Sequence, residues 1–249
     1  MPQYRPGDVQ GTPALELTDL HAWYGDAHVL QGVNLHIAQG QVVALLGRNG
    51  SGRSTMLRAI MGLTGSRSGS VRIHGTESIH LPLDKISHLG IGCCGEEPGI
   101  FVGLSCEENL LLPSSPAEDT LGGGMSLAEI YELFPNLHER RHMPGTRLSG
   151  GEQQMLGIAR ILRTGANLIL LDEVAHGLAP VIVQGLAHMV RQLKDKGYTI
   201  ILLENSFQFP AALADYFYIM EQGQIIDGFD PQQLPAKQDA FGALLGAQA

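Results

Sequence analysis

Charged residues are scarce in this sequence, and basic residues are the scarcer kind. Asp, Glu, Lys and Arg make up 16% of the 249 residues, whereas a typical soluble domain has about 25%. The low charge indicates that a partner covers part of the surface. With 16 basic residues against 25 acidic ones, the formal net charge is −9. We therefore do not expect the clustered Lys and Arg that nucleic-acid binding needs.

Cysteines and long apolar runs are also few. The three cysteines, Cys93, Cys94 and Cys106, are odd in number and lack metal-ligand spacing, which argues against a disulfide scaffold and a zinc site. No apolar run approaches the roughly 18 residues that span a bilayer. Residues 1–11 lack the apolar core of a signal peptide. These absences favour a cytosolic protein in a reducing compartment.

The hydrophobic pattern of the second half alternates between strands and helices. Residues 42–46 form a continuous apolar run that stops at glycines, as expected of a strand buried on both faces. Residues 168–171 and 198–203 are further predicted strands, and helical patterns lie at residues 149–163 and 180–194. The alternation predicts an α/β fold with a mostly parallel sheet.

A glycine-rich loop follows the first apolar run and precedes a predicted helix. The loop is similar to the phosphate-loop pattern G-x-x-x-x-G-K-[ST], in which backbone N–H groups wrap phosphates, the lysine reaches their oxygens and the hydroxyl binds Mg²⁺. Ser54 fits the hydroxyl position, but Arg53 stands where the pattern has lysine. A simple glycine turn is the alternative at this point. The candidate phosphate-binding residues are Gly47, Arg48, Asn49, Gly50, Ser51, Gly52, Arg53, Ser54 and Thr55.

Two carboxylates follow the predicted strand at residues 168–171. Asp172 is expected at the carboxyl edge of the sheet, where it can hold Mg²⁺ through water, and Glu173 can polarise an attacking water. An acidic strand end without function is the alternative, because such ends are common. The position of the pair after the phosphate loop strengthens the functional interpretation.

The most specific segment opens the predicted helix at residues 149–163. It consists of Leu148, Ser149, Gly150, Gly151 and Glu152. The serine and the glycines present a hydroxyl and backbone N–H groups at a helix N-terminus, where anions bind. This segment resembles the signature motif of ABC transporter ATPases. The loop, the signature and the Asp-Glu pair stand in that family's order and spacing, and the resemblance covers roughly residues 14–228.

The resemblance implies the fold and division of the chain. The fold is that of an ABC ATPase cassette, a P-loop NTPase with a RecA-like core, an antiparallel β subdomain and a helical signature subdomain. Residues 1–13 are then a lead-in, residues 14–230 the ATP-binding domain and residues 231–249 a C-terminal tail. The helical subdomain is expected at about residues 97–165.

The resemblance also implies roles for individual residues. ATP is bound by residues 47–55, with Tyr24 stacking on adenine, and Glu173 is catalytic. Since these ATPases act as head-to-tail dimers, the signature at residues 148–152 faces the ATP of a second subunit. Asn205 occupies the switch position, where the family often has histidine. The implied Mg²⁺ contacts are Ser54, Glu96 and Asp172.

Several segments are most similar to the ATP-binding subunits of branched-chain amino acid and urea-type importers. They include residues 107–110, 131–135, 177–180 and 202–205. The similarity implies an ATPase that drives import of branched-chain amino acids or a similar small solute. Its partners are then a second ABC ATPase subunit, in a heterodimer, transmembrane permease subunits and, indirectly, a periplasmic or extracellular solute-binding protein. The similarity also implies that the chain is cytoplasmic and lies on the inner face of the cell membrane.

Three departures from the family pattern bear on activity. Arg53 replaces a compact lysine by a larger, planar guanidinium. Glu96 replaces a glutamine by a carboxylate that repels γ-phosphate oxygens. Residues 174–176 replace a Pro-Thr-Glu-like stretch. These changes predict slow hydrolysis at the chain's own site, although drift towards arginine is an alternative for Arg53, since 4 of the 16 basic residues are lysine.

Two further functional interpretations stay open on sequence alone. The first alternative is a non-catalytic subunit that dimerises in the presence of ATP and completes the active site of a partner ATPase. The intact signature and the altered phosphate loop favour that alternative. The second is a soluble ABC ATPase of translation or DNA repair, which is less favoured because those proteins usually carry two cassettes or long insertions.

Overall fold

The structure, a computed structural model, describes residues 11–112 and 123–245. Residues 1–10 of the predicted lead-in and residues 246–249 of the predicted tail lie outside the described residues. The strands are β1 (Leu15–Tyr24), β2 (Ala27–Ile37), β3 (Val42–Leu46), β4 (Ser66–Ile73), β5 (Thr76–Glu77), β6 (Ile91–Cys94), β7 (Leu168–Asp172), β8 (Thr199–Glu204), β9 (Tyr216–Glu221) and β10 (Gln224–Phe229). The α-helices are α1 (Arg53–Ile60), α2 (Leu83–Ser87), α3 (Cys106–Leu111), α4 (Leu127–Leu133), α5 (Pro135–Glu139), α6 (Gly150–Arg163), α7 (Pro180–Asp195) and α8 (Leu234–Leu245).

A six-stranded, mostly parallel sheet forms the centre of the fold. Its strand order is β10-β9-β3-β8-β7-β6, and only the outer pair β9–β10 is antiparallel. Leu46 is the register partner of Glu204, and Leu203 is the partner of Asp172. The carboxyl ends of β3, β8 and β7 therefore lie side by side. The prediction of an α/β fold with a mostly parallel sheet is confirmed.

A second, antiparallel sheet covers one face of the central sheet. Its strand order is β2-β1-β4-β5. Alternate residues of β8 point to opposite faces, so Ile201 and Leu203 pack in the core shared with the antiparallel sheet, whereas Ile200 and Leu202 pack on the other side. Burial on both faces explains why the central strands are continuous apolar runs.

The opposite face carries the helices between β6 and β7 together with α7. Leu110, Ile130, Leu137 and Leu156 come from α3, α4, α5 and α6 and are all fully buried in one cluster. These helices lie within the segment predicted as a helical subdomain. No helix in the described ranges has both the length and the apolar character that a bilayer crossing requires.

Candidate functional site

The glycine-rich loop joins β3 to α1 and depends on two glycines. A Cβ added to Gly47 would lie 2.4 Å from Ser51 Oγ and 2.6 Å from the Met220 carbonyl oxygen, closer than real Cβ contacts. Gly52 is the N-cap of α1 with φ +110°, a conformation that L side chains rarely adopt. No side chain caps α1, which leaves the N–H groups of its first turn available to an anion.

This loop forms one wall of a pocket of about 440 Å³ at the carboxyl ends of the central strands. The pocket collects the predicted loop residues together with the predicted carboxylates. Its lining residues are Tyr24, Val29, Arg48, Asn49, Gly50, Ser51, Gly52, Arg53, Ser54, Thr55, Glu96, Asp172 and Glu173. Residues far apart in sequence thus meet around one cavity.

Arg53 and Glu173 are paired with each other inside the pocket. Arg53 Nη2 donates to Glu173 Oε1 at 2.5 Å, and the two side chains are only 5% and 18% exposed. The same nitrogen lies 3.4 Å from Asn49 Oδ1. Glu173 also has a φ of +51°, which is unusual for a residue other than glycine and is typical of functional sites. Arg53, which stands where the phosphate-loop pattern has lysine, therefore forms an ion pair with Glu173, the predicted catalytic carboxylate.

Ser54 and Asp172 form a second pair in the same pocket. Ser54 Oγ donates to Asp172 Oδ2 at 3.0 Å. Burial raises the pKa of Asp172, a trend that the Ser54 hydrogen bond and the charge of Arg53 oppose. A hydroxyl and a carboxylate oxygen at hydrogen-bond distance are the hard oxygen donors that Mg²⁺ prefers. The chemistry of these donors fits the predicted cation.

Several buried polar atoms of the loop have no partner among the described residues. They are Arg53 Nε, Arg53 Nη1 and Ser51 Oγ. Buried donors in native proteins are normally satisfied, and an unsatisfied donor is expensive. Phosphate oxygens accept hydrogen bonds from guanidinium and hydroxyl groups. The loop is therefore chemically suited to a polyphosphate.

Glu204 is a buried carboxyl group behind the pocket that sequence reasoning missed. It ends β8, is 4% exposed, and its Oε1 has no partner among the described residues. Burial, with help from the charges of Glu173 and Asp172, raises the pKa of Glu204 to about 8, although Arg53 opposes the shift. The side chain is thus largely neutral at pH 7. A charged residue that closes an otherwise apolar run was the available signal.

The predicted signature lies at the start of α6 and outside the pocket. Ser149 is the N-cap, its Oγ accepts from the Glu152 backbone N–H, and Glu152 Oε2 accepts from the Ser149 backbone N–H and hydroxyl. Gly151 is required here, because an added Cβ would lie 2.3 Å from Ile182 Cγ2. None of residues 148–152 lines the pocket among the described residues.

The remaining predicted residues fall at different distances from the pocket. Tyr24 lines it and is 39% exposed, so its ring is accessible for stacking. Gly47 lies beneath the loop and donates its N–H to the Glu204 carbonyl. Asn205 follows β8 directly but is not among the lining residues that the described part of the chain supplies.

Comparison with known proteins gives a consistent picture. The family "ABC transporter" matches residues 30–176. The high-affinity branched-chain amino acid transport ATP-binding protein BraG of Pseudomonas aeruginosa is 36% identical over 212 residues, which cover 85% of this chain and 91% of the relative. The probable branched-chain amino acid transport ATP-binding protein LivF of Archaeoglobus fulgidus is 31% identical over 217 residues, with 85% and 89% covered.

Solved structures agree on the fold. A nucleotide-free ATP-binding cassette from an ABC transporter superposes with a TM-score of 0.80 at 23% identity, covering 94% of this chain and 97% of that chain. The ATP-binding subunit of another ABC transporter has a TM-score of 0.74 at 28% identity, with 94% and 95% covered. These similarities confirm the predicted cassette fold.

Proposed function

The chain belongs to the ABC transporter ATP-binding proteins, and from that membership we propose that it serves an importer of branched-chain amino acids or a similar small solute. ATP hydrolysis coupled to transport is the general function of this family. The names of BraG and LivF support the choice of solute. The observation that carries the site assignment is the single pocket shared by the loop, Asp172 and Glu173.

The pocket residues divide the work as follows. The loop at residues 47–55 binds the phosphates, Tyr24 stacks on adenine, and Glu173 orients and deprotonates the attacking water. Ser54, Glu96 and Asp172 hold Mg²⁺, which neutralises phosphate charge when it is bound. Asn205 occupies the switch position without a titratable ring. The orphaned Arg53 and Ser51 atoms support phosphate binding.

The assembly proposed for the chain has three kinds of partner. A second ATPase subunit, different from this chain, presents its signature to this pocket and receives residues 148–152 in return. Transmembrane permease subunits bind the cassette at the inner face of the membrane, and a solute-binding protein acts through them. Exposed apolar side chains at Phe101, Val102, Leu111 and Leu112 support a covered surface within the predicted helical subdomain.

We further propose that the predicted division of the chain holds. The ATP-binding domain spans residues 14–230, its helical subdomain about residues 97–165, and the tail residues 231–249. The helices α3 to α6 support the helical assignment, because they pack with one another around Leu110, Ile130 and Leu137. Residues 113–122 lie outside the described part of this subdomain.

One observation favours the alternative of a subunit that binds ATP but turns it over slowly or not at all. The Glu173 carboxylate must contact the attacking water, but it is paired with Arg53. Arg53 must exchange this carboxylate for phosphate before Glu173 is free. A lysine at this position would have a single ammonium group, and therefore fewer donors than Arg53 to share between the Glu173 carboxylate and a phosphate.

Steady-state phosphate release in saturating Mg-ATP tests both alternatives, with Glu173→Gln as the blank. Turnover above the blank supports a working ATPase. Bound ATP without turnover supports the subunit that completes a partner's site. Uptake of labelled leucine by cells with and without the gene tests the solute, and unchanged uptake would contradict the choice of branched-chain amino acids.

A further inference from the structure

Three helices in the described part of the chain begin with the same Ser–Glu capping box, and one of them has an additional contact. In each box a serine accepts from the backbone N–H three residues later, and the glutamate there accepts from the serine backbone. The pairs are Ser105 with Glu108 at α3, Ser126 with Glu129 at α4, and Ser149 with Glu152 at α6. Within residues 11–112 and 123–245, only Glu152 among the three glutamates also has an ion pair.

That ion pair joins the signature to the preceding helix. Arg140 caps the C-terminus of α5, and its Nε lies 2.6 Å from Glu152 Oε1. The other oxygen of the carboxylate, Oε2, is the one that accepts from Ser149. Oε2 of Glu152 therefore bonds to the cap, and Oε1 forms the ion pair with Arg140.

The two other capping boxes show that helix initiation does not need the arginine. Glu108 and Glu129 form the same reciprocal bonds with their serines, and those bonds hold the pKa of each carboxyl below its usual range. Neither of these glutamates has an arginine partner in the described residues. The cap therefore forms without an arginine, and the ion pair of the 46%-exposed Arg140 side chain is an addition to it.

The negative charge of Glu152 at the start of α6 gives Arg140 a role. The N-terminus of α6 has a favourable dipole for an anion, but Glu152 places a carboxylate in its first turn with only 8% exposure. A phosphate that approaches Ser149 meets this negative charge, which is repulsive at short range. Arg140 is positioned to neutralise the carboxylate without displacing it from the cap.

We propose that Arg140 is a positioning residue for the nucleotide held by a second cassette. It cancels the charge of Glu152 and fixes the carboxylate in the cap, so that the first N–H groups of α6 can receive the phosphate. The proposal rests on the proposed function, in which residues 148–152 face the nucleotide of the partner subunit.

The test measures ATP-dependent association of the full-length chain, which carries Glu173→Gln to block turnover. Dissociation constants in Mg-ATP are measured by sedimentation, for the chain alone and with any ATPase subunit that copurifies with it from its host. We expect Arg140→Met to weaken association about tenfold, as for one uncompensated charge near an anion. Its melting temperature should stay close to that of the parent.

Three comparison variants separate positioning from general surface charge. Arg141→Met removes the adjacent charge, whose guanidinium donates only to the His138 carbonyl among the described contacts, and it should leave association unchanged. Arg140→Lys keeps the charge and should restore most of the affinity. In a Glu152→Gln background there is no carboxylate to neutralise, so Arg140→Met should lose its effect.

The outcomes distinguish this inference from the function on which it rests. If the parent shows no ATP-dependent association, alone or with its copurified subunit, both proposals are overturned. Association that is insensitive to Arg140→Met overturns only the role of Arg140. The same holds if Arg141→Met weakens association equally, or if the effect of Arg140→Met persists with Gln at position 152.

Discussion

The pocket and the signature hold their charged side chains in different ways. In the pocket, the predicted working groups pair with each other, Arg53 with Glu173 and Ser54 with Asp172. At the signature, Glu152 is held by the cap of its own helix and by Arg140, outside residues 148–152. The pocket must therefore give up these internal pairs before Glu173 and Asp172 can act on a ligand, whereas Glu152 can keep its partners when a ligand meets the first N–H groups of α6.

The pocket and the signature therefore differ in the free energy that ligand binding costs. Breaking a buried ion pair is expensive, because each charge must find a new partner. A preorganised hydrogen-bond site has no comparable reorganisation cost. The chain should accordingly be a weak hydrolase with a competent signature. The following substitutions challenge that contrast, from the largest expected effect to the smallest.

Glu173→Gln should have the largest effect, because it removes the proposed general base and leaves the signature intact. We expect phosphate release to fall by about 10²–10⁴-fold, the usual contribution of a positioned base. ATP binding should be retained, since Arg53 is released from its ion pair. Phosphate release and equilibrium nucleotide binding measure the two effects separately. Equal phosphate release by the parent and the variant would place this chain among non-catalytic subunits.

Gly47→Ala should damage the pocket without touching the signature. The new methyl group would overlap Ser51 Oγ and the Met220 carbonyl oxygen, so the loop must shift. Overpacking of this kind costs about 1–3 kcal/mol, and we expect a loss of ATP affinity of about tenfold or more. Gly95→Ala is the matched control, because a Cβ there meets nothing within 4 Å. Calorimetric titration with ATP measures the difference, and equal affinities would show that the loop tolerates the shift.

Arg53→Lys tests whether the ion pair between Arg53 and Glu173 limits the rate of ATP hydrolysis in the pocket. If Arg53 withholds Glu173 from water, the smaller ammonium group should raise kcat, by about tenfold for one hydrogen bond to a charged group. The control is Arg58→Lys, an exposed position in the last turn of α1. A fall in kcat for Arg53→Lys would show that this pocket is adapted to arginine, and the contrast with the signature would weaken.

Sequence patterns predicted the parts of this contrast that depend on local order along the chain. The glycine loop, Asp172, Glu173 and the Ser149 cap all follow from an apolar strand or a helix start at a fixed spacing. These signals place backbone segments at the edge of a sheet. Local order along the chain therefore predicts that the loop, Asp172 and Glu173 meet at one pocket, and that Ser149 begins a helix.

The side-chain pairings could not be predicted in the same way. Arg53 and Glu173 are 120 residues apart, and nothing in either segment specifies that the guanidinium bends towards the carboxylate instead of towards solvent. The contact of Arg140 with Glu152 carries no sequence signal, because it depends on how α5 packs against α6. The charged end of an apolar run marks Glu204 in the sequence, but its burial depends on the strands on both sides of β8, which the sequence does not specify.

The smallest effect concerns pH and the carboxyl group behind the pocket. Burial raises the pKa of Glu204 to about 8 from a reference value of 4.5, so the folded chain holds a proton there that the unfolded chain releases. The stabilisation is complete below pH 4.5 and is lost as pH rises through 8. Glu204→Gln mimics the protonated form and should leave the melting temperature unchanged at low pH. Above pH 8 it should raise the melting temperature by about 10 °C or more.

Glu139→Gln serves as the control for this pH series, because Glu139 is exposed at the end of α5. Melting curves across the pH range should separate Glu204→Gln from the parent progressively between the two pKa values, and Glu139→Gln should follow the parent throughout. A constant difference at all pH values would show that Glu204 does not titrate in this range. If Glu204 is ionised throughout the range, it adds one negative charge behind the pocket at neutral pH, which makes binding of a polyphosphate harder and increases the contrast with the neutralised signature.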